Sequence, residues 1–242
     1  MAGIDSYTVL NLHGDGDDQS TTIPDSGGGA NCPHTVTCVN QAQIDTAQKE
    51  FGTGSILFDG TGDYLTLADS DDWDFGSGDF TIDFWVRFND NTIKSTFYSQ
   101  TVDDNNRVYF GKGADGYLYF SARLAGVTIG YYCDDAAAAF SWANNTWYHL
   151  ACVRNGATTY IFINGTSRTL TEYAAFGTQS CPNLAHTLEI GRYSAGDGEV
   201  NGWIDEFRIS KGVARWTENF TPYTRAYDTK SDYVARAIMI SD

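Results

Sequence analysis

Carboxylates dominate the ionisable side chains of this 242-residue chain, and most of them are short. Aspartate outnumbers glutamate by 25 to 6, and the 31 acidic residues face 15 Lys and Arg. Aspartate is favoured in turns, where its side chain reaches nearby backbone groups, whereas glutamate favours helices. Calcium takes about six to eight hard oxygen ligands, chiefly carboxylates and carbonyls. The composition therefore predicts a turn-rich acidic surface, and calcium is the metal that it favours.

The same carboxylates do not form the pairs that glycoside hydrolysis requires. Two carboxyl groups must flank the scissile bond, about 5–5.5 Å apart in a retaining enzyme. On a strand this spacing comes from Glu-x-Asp, because alternate residues share a face. None of the six glutamates is followed by Asp two residues later, and the chain has no Gly-x-Ser-x-Gly motif. We predict that the protein is not an enzyme.

Thiols and imidazoles are too scattered along the chain to predict a zinc site. There are five cysteines and four histidines, without a Cys-x-x-Cys pair. An odd number of cysteines leaves at least one thiol unpaired. Cys32 with Cys38, and Cys133 with Cys181, are two candidate disulfides, while Cys152 lies in an alternating segment typical of a core strand. We expect no zinc centre, and the disulfide state stays open.

The net charge of −16 argues against two classes of partner. Nucleic acids and anionic membranes are bound through clustered Lys and Arg, which this chain lacks. No apolar run approaches the ~20 residues of a membrane-spanning helix. The first six residues have neither a basic nor an apolar region, so we expect no secretory signal peptide. We predict no nucleic-acid partner and no membrane insertion.

The elements that position these side chains are predicted to be β-strands. Apolar and polar residues alternate through most of the chain, most clearly in 80–88, where every even position is large and apolar. Turn signals such as Asn155-Gly156 separate the alternating segments. Many short strands at roughly 8–12-residue spacing predict an all-β fold, a two-sheet antiparallel jelly-roll sandwich. Two helical turns are predicted at 45–51 and 69–73.

Alternation also predicts which side chains point away from the core. If Val108, Phe110 and Phe120 point inward, the residues between them point outward. Were the strands neighbours, the outward residues would form one face on which aromatic rings stack against sugars and Arg binds hydroxyls or carboxylates. The predicted ligand-binding residues are Trp85, Arg107, Tyr109, Tyr117, Tyr119 and Arg123. Acidic segments 103–106 and 197–199 are second candidates, for calcium-dependent binding at a rim.

Five motifs follow one another in a characteristic order between residues 8 and 222. They are Phe51-Gly-x-Gly-Ser-x-x-Phe58-Asp-Gly-x-Gly-Asp-Tyr64-Leu65, Asp79-Phe-Thr-Ile-Asp-Phe-Trp85-Val-Arg-Phe, Trp147-x-His149-x-Ala151-x-Val153-Arg154-x-Gly, Ile163-Asn164-Gly165 and Gly202-x-Ile204-Asp205-Glu206-Phe207-Arg208-Ile209-Ser210. In this order they resemble the laminin-G-like branch of the concanavalin A-like lectin and glucanase superfamily. The resemblance implies a jelly roll with one concave and one convex sheet. It further implies binding of carbohydrate or protein, with glycan hydrolysis in some branches.

The resemblance also implies a structural calcium ion on the convex side, near the first and last strands. By motif, Asp205 would supply a carboxylate and Gly54 a backbone carbonyl. Asp15 falls at the third ligand position, although Gly14 stands where the family usually has a bulkier residue. Carboxylates, carbonyls and water are the ligands that calcium prefers.

Two functions are open at this stage. The first is a non-catalytic carbohydrate-recognition or adhesion module, formed by residues 1–223 and stabilised by calcium. The second is a virion structural protein, because free-standing chains of this kind resemble capsid decorations or tail appendages of phages. Its jelly roll would dock on capsid or tail proteins through the segment 224–242, whose apolar run 233–240 could also drive oligomers. Both functions place the protein on a virion or extracellular surface, with a glycan or protein surface as partner.

Overall fold

The computed structural model describes residues 3–136, 138–193 and 197–227. Two 3₁₀ turns, Asp71–Trp73 and Asp134–Ala136, interrupt a succession of strands. The strands are β1 (Thr8–Leu12), β2 (Thr37–Val39), β3 (Gln43–Asp45), β4 (Ser55–Asp59), β5 (Tyr64–Leu67), β6 (Phe80–Phe88), β7 (Ser95–Asp103), β8 (Asn106–Lys112), β9 (Leu118–Leu124), β10 (Val127–Cys133), β11 (Trp147–Asn155), β12 (Thr158–Ile163), β13 (Thr166–Ser167), β14 (Thr171–Ala174), β15 (Leu188–Ile190) and β16 (Asn201–Lys211).

The strands pair into two antiparallel sheets, which confirms the predicted all-β sandwich. In the first sheet the order is β13-β12-β11-β6-β16-β4-β3, and β1 pairs with β16. In the second sheet the order is β14-β10-β9-β8-β7-β15-β5-β2. The longest strands of the first sheet, β6, β11 and β16, lie side by side at its centre.

The core lies between the sheets and is built from the alternating apolar positions. All five even-numbered residues of β6 are fully buried. Phe84 of this strand packs 4.8 Å from Phe97 of the second sheet and 5.4 Å from Phe207 of the first, measured between ring centroids. Each buried side chain of this size contributes about 1.5–3 kcal/mol relative to exposure to water. The period-two pattern thus translates directly into the contact between the sheets.

One of the two predicted helical turns forms, and the other is wrong. Within 69–73 the structure has the 3₁₀ turn Asp71–Trp73, capped by Ser70, whose Oγ accepts from the backbone N–H of Asp72 at 3.2 Å. Residues 45–51 are not helical. Their N–H groups at Ala47, Glu50 and Phe51 donate to carboxylates of Asp45 and Asp205 rather than to carbonyls four residues earlier.

A segment that the strand pattern does not predict covers the outer face of the first sheet. We call residues 212–227 the strap. Trp216 and Phe220 of the strap stack with ring centroids 4.0 Å apart and pack on β11 and β12. Gly165 allows this approach, because its φ is +74° and a Cβ there would lie 1.9 Å from the carbonyl oxygen of Phe220. Tyr227 is buried on this sheet, whereas residues 228–242, most of the predicted docking segment, lie outside the described residues.

The five cysteines are free thiols, so neither candidate disulfide forms in this structure. No helix in the described part of the chain is long and apolar enough to cross a membrane.

Candidate functional site

Four tyrosines from consecutive strands share the outer face of the second sheet. Tyr109 lies on β8, Tyr119 on β9, Tyr131 on β10 and Tyr173 on the edge strand β14. On β8 and β9 the residues that alternate with them, such as Phe110 and Phe120, are fully buried in the core. We call these four residues the tyrosine face.

The rings of the tyrosine face stand nearly parallel along the sheet. The centroids of Tyr119 and Tyr131 are 6.3 Å apart with 15° between the ring planes, and those of Tyr131 and Tyr173 are 5.0 Å apart with 28°. Tyr193 meets the ring of Tyr109 edge-on at 5.4 Å. A row of flat, amphipathic rings presents both apolar surface and hydroxyl groups, which suits a ligand with the same mixed character.

A cavity of about 280 Å³ adjoins three of these rings. Its polar wall carries both signs of charge. Asp115 accepts from the Tyr119 hydroxyl at 2.5 Å, and Lys94 contacts Asp197 at 2.6 Å. The lining side chains that matter here are those of Lys94, Tyr109, Lys112, Asp115, Tyr119 and Tyr131. Aromatic walls with a few placed polar groups are typical of small-ligand sites.

Burial sets the protonation states around this cavity. The Lys112 side chain is almost fully buried, and its Nζ donates to the carbonyls of Ile93 and Gly113, each at 3.0 Å. Burial lowers the pKa of Lys112 to about 8. Burial also raises the pKa of Tyr109 to about 12. At neutral pH the Tyr109 hydroxyl is therefore a neutral donor and acceptor, not a phenolate.

Three further predicted ligand residues lie on the same sheet as the tyrosine face. Arg107 and Arg123 are opposite each other in the β8–β9 pairing. Arg107 donates to the backbone carbonyl of Asp104 at 3.0 Å, and its guanidinium lies 5.7 Å from the ring of Tyr109. Tyr117 is half-buried and directly precedes β9. The structure therefore brings together five of the six predicted ligand residues.

Trp85 is the exception, and its expected place on this face is wrong. It lies on β6, at the centre of the other sheet, where His149 and Asp205 are its register partners. Period-two alternation gives the side to which a residue points but not the sheet to which its strand belongs. Trp85 instead lines a separate cavity of about 410 Å³, together with Phe51 and Trp147.

Asp205 and Asp15 hold opposite ends of the 50–54 loop, which contains Gly54, and Asp205 lies at a bulge in β16. The register of β16 against β6 shifts between Asp205 and Arg208, and Glu206 has a φ of +51°. Asp205 Oδ2 accepts from the backbone N–H groups of Glu50 and Phe51 at 2.9 and 3.0 Å. Its Oδ1 is buried and has no hydrogen-bond partner among the described residues.

The second predicted carboxylate lies within electrostatic reach of this orphaned oxygen. Asp15 Oδ1 accepts from the backbone N–H of Thr53 and, at 3.3 Å, from that of Gly54. Burial raises the pKa of Asp205 well above its ordinary range, and the negative charges of Glu206 and Asp15 act in the same direction. A buried carboxylate oxygen beside other acids is stabilised by a cation or a proton. The oxygen donors present fit a hard divalent cation such as calcium.

The two acidic rim segments are engaged within the protein. Asp103 Oδ1 accepts from the N–H of Asn105 at 2.7 Å and from the Asn106 amide at 3.0 Å, which is a turn-stabilising pattern. Asp197 is the partner of Lys94. Their carboxylates therefore already have roles in loop structure.

Tyr131, Tyr173, Lys94 and Asp115 escaped the sequence analysis. Tyr131 follows an irregularity between Thr128 and Gly130, which breaks the alternation. Tyr173 lies in a four-residue edge strand too short for a clear pattern. The alternation of Tyr131 with the buried Tyr132 was a usable signal, since one of two adjacent strand residues must point outward.

Two antiparallel sheets packed face to face, with one covered and one open outer face, define a lectin-like β-sandwich. The chain belongs to the concanavalin A-like lectin/glucanases superfamily, because the laminin G-like model of that superfamily matches residues 59–218.

Similar solved structures share this fold at low sequence identity. Domain 4 of AbnA, an extracellular arabinanase of family GH43 from Geobacillus stearothermophilus solved with arabinotriose, is 17% identical with a TM-score of 0.60, over 86% of this chain and 93% of that one. The binding domain of Paraclostridial Mosquitocidal Protein 1 is 17% identical with a TM-score of 0.59, over 86% of this chain and 49% of that one.

A structure of botulinum neurotoxin type C, whose cell entry depends on interaction with two ganglioside molecules, is 16% identical with a TM-score of 0.59. It is matched over 87% of this chain and 49% of that one, so the chain spans about half the length of these toxin chains. Among curated proteins, none matches the chain significantly.

Proposed function

We propose that this chain is a non-catalytic carbohydrate-recognition module that binds a glycan along the tyrosine face. The observation that carries the proposal is the near-parallel row of Tyr119, Tyr131 and Tyr173 beside the polar cavity. Sugar rings can pack along the solvent edge of such a row and against the exposed ring of Tyr173, because the apolar face of a sugar matches an aromatic ring.

The polar groups at the cavity complete the recognition. Lys94 is a cationic donor, and Asp115 with the neutral tyrosine hydroxyls supplies acceptors for sugar hydroxyl groups. The arabinanase domain solved with arabinotriose has the same fold, which supports an oligosaccharide as the class of ligand. A glycan on a cell, virion or extracellular surface is the partner that we propose.

The proposal assigns the acids of this face to binding and not to catalysis. Asp115 accepts from Tyr119, and Asp135 accepts from the hydroxyl of Tyr173. A hydrolase needs one carboxyl group to stay protonated and a second to stay free as base or nucleophile. The pKa of Asp135 is lowered by hydrogen bonds from Thr171 and Tyr173, which disfavours the role of an acid.

A structural calcium ion is part of the proposal. Asp205 and Asp15 would hold it with their carboxylates, and Gly54 with its backbone carbonyl, on the first sheet and away from the tyrosine face. Calcium there would neutralise the orphaned oxygen of Asp205 and join the 50–54 loop to β16.

The test compares glycan-array binding of the wild-type chain, Tyr131→Ala and Tyr7→Ala. Tyr131 is the central ring of the row, so its removal should weaken binding at least tenfold, or about 1.4 kcal/mol. Tyr7 is a 51% exposed tyrosine outside the tyrosine face and serves as the matched control. Each array is read with calcium and after chelation, below the melting temperature of the metal-free protein.

Equal binding by Tyr131→Ala and the wild type would place the glycan elsewhere. Loss of binding on chelation without loss of fold would move the site to the calcium ligands. No binding to any glycan by a folded wild-type chain would refute the proposal and favour the alternative, a virion protein that docks on capsid or tail proteins.

A further inference from the structure

A second group of donor side chains lies beside β1 and the 3₁₀ turn Asp71–Trp73. Asp25, Cys32 and His34 bring an oxygen, a sulfur and a nitrogen within 4.8 Å of one another. His34 Nδ1 lies 3.0 Å from Asp25 Oδ2, and His34 Nε2 lies 3.1 Å from Asp72 Oδ2. Three different ligand types thus lie close enough to bind one ion. The Asp72 carboxylate contacts the opposite edge of the His34 imidazole.

We infer that Asp25, Cys32 and His34 form a zinc site with three protein ligands. Thiolate, imidazole and carboxylate are the ligands that zinc takes, at about 2.0–2.3 Å each. Two ligands of one tetrahedral zinc ion at such distances lie roughly 3.4 Å apart, close to the Nδ1–Oδ2 separation. A sulfur and an imidazole in the set distinguish this site from the all-oxygen calcium site at Asp205.

The surroundings of His34 suit a metal at Nδ1, where zinc would displace the proton that Nδ1 shares with Asp25 Oδ2. The ring proton would then be on Nε2, which lies 3.1 Å from Asp72 Oδ2. Both of these atoms are buried and have no partner with hydrogen-bond geometry among the described residues. Zinc-bound histidines usually donate their other N–H to a carboxylate in this way.

The backbone closes tightly around the thiol. A Cβ on Gly27 would lie 2.4 Å from Cys32 Sγ and 3.0 Å from Asp25 Oδ1. A Cβ on Gly28 would lie 2.4 Å from the carbonyl oxygen of Asp5. Only glycine therefore permits this loop to pass between the ligands and the N-terminal segment.

Metal binding would also attach the loop 25–34 to β1. Asp25 bridges to Leu12 of β1, and Cys32 Sγ lies 3.2 Å from the carbonyl oxygen of Val9. Zinc would fix residues 25–34 against β1 and the 3₁₀ turn, with water in the remaining coordination position. Zinc would replace the thiol proton of Cys32, which would be released to solvent.

The site is tested by titrating the untagged, metal-free full chain with Co²⁺ and then displacing it with Zn²⁺. We expect one equivalent of Co²⁺, tetrahedral d–d absorption and a thiolate-to-cobalt charge-transfer band, all abolished by Zn²⁺. Cys32→Ser should lose the charge-transfer band, and Cys38→Ser should keep it. Cys38 is the matched control, because it is also half-buried and lies six residues away.

Thermal melts with Zn²⁺ provide the second measurement. Zinc should raise the melting temperature of the wild type and Cys38→Ser but not of Cys32→Ser. Asp72→Asn keeps all three ligands and should weaken zinc binding about 10–100-fold. This variant keeps the inference testable if Cys32→Ser does not fold.

Absence of a charge-transfer band in the wild type, or its persistence in Cys32→Ser, would overturn the inference. The group would then be an ion-pair network with a protonated His34 between two carboxylates. Asp205→Asn should leave the cobalt spectrum unchanged, which separates this site from the proposed calcium site.

Discussion

The two sheets present outer faces of similar composition but opposite availability. On the first sheet Asp83, His149 and Arg208 are fully buried beneath the strap. On the second sheet the tyrosine face is open, and Tyr173 is 57% exposed. Both faces combine aromatic rings with arginine and aspartate, so composition alone does not distinguish them.

On the covered face the buried Asp83 carboxylate is paired with neighbouring side chains. Arg208 Nε and one of its terminal nitrogens donate to the two oxygens of Asp83, each at 3.0 Å. The Tyr227 hydroxyl donates to the same carboxylate, and its ring lies 3.8 Å from the guanidinium. Burial alone would raise the pKa of Asp83, but the Arg208 charge holds it below its usual range.

The difference between the faces separates stability from recognition. Groups that are paired inside the protein and excluded from water cannot contact a ligand without breaking those pairs. On the tyrosine face Tyr173 is exposed and the other three rings are half-buried, so this surface remains accessible to a ligand. The position of the candidate binding surface therefore depends on which outer face the strap leaves uncovered.

The largest expected effect comes from breaking the covered face. Arg208→Met leaves the buried Asp83 charge unpaired and should lower the free energy of unfolding by about 3–5 kcal/mol. Urea denaturation monitored by tryptophan fluorescence measures the change. The double variant Asp83→Leu with Arg208→Met removes both charges and should recover most of the loss. A loss below about 1 kcal/mol in the single variant would contradict the assignment.

A smaller contrast is expected between two tyrosine hydroxyls. Tyr227→Phe removes a hydrogen bond to a buried carboxylate and should cost about 2 kcal/mol. Tyr131→Phe, on the open face, should change stability by no more than about 0.5 kcal/mol. Both values come from the same urea titrations. Equal losses would mean that the tyrosine face is also a stabilising surface and not a free platform.

Local alternation predicted the strands but could not assign them to sheets. The pattern of 80–88 gives the buried side of β6, because pleating alone determines it. Its position between β11 and β16 depends on long-range pairing with residues more than 60 positions later. Trp85 was therefore given the right kind of environment, half-exposed beside aromatic residues, but on the wrong sheet.

Clusters made by loops were the least predictable part. Cys32 and His34 are close in sequence, but Asp72 reaches them only because the turn Asp71–Trp73 packs against the N-terminal loop. The sequence analysis also missed the strap, because Trp216 and Phe220 lie in a segment without alternation. The calcium residues were located by family motif, not by spacing.

Two buried acids of the first sheet, Asp205 and Asp83, differ in whether a cation lies beside them. Asp205 lies three residues from Arg208 on β16 and is equally buried, yet its neighbours Glu206 and Asp15 are acidic. Asp83 is matched by a cation within the chain, whereas Asp205 Oδ1 has no hydrogen-bond partner among the described residues. A buried carboxylate of this kind makes the stability of the fold depend on pH.

The smallest expected effect is that of Asp205→Asn, and its sign depends on calcium. Because the folded-state pKa of Asp205 is raised above its unfolded value, the folded metal-free protein holds a proton that the unfolded chain releases. Its stability should therefore fall as the pH rises from the ordinary aspartate range through the folded pKa. Asn keeps the acceptor for Glu50 and Phe51 but carries no charge. The variant should consequently gain about 1 kcal/mol at neutral pH without metal and lose most of this pH dependence.

With calcium bound, the wild type should be more stable than Asp205→Asn. Millimolar calcium should raise the melting temperature of the wild type and leave Asp205→Asn unchanged, because only the carboxylate offers two anionic oxygens. Glu218→Gln, which neutralises an exposed acid of the strap, is the control for a general charge effect and should keep the calcium response. An equal response of wild type and Asp205→Asn would show that the orphaned oxygen binds no calcium. Protonation would then neutralise the buried Asp205 carboxylate. Of the two buried acids, only Asp83 would be paired with a cation, that of Arg208.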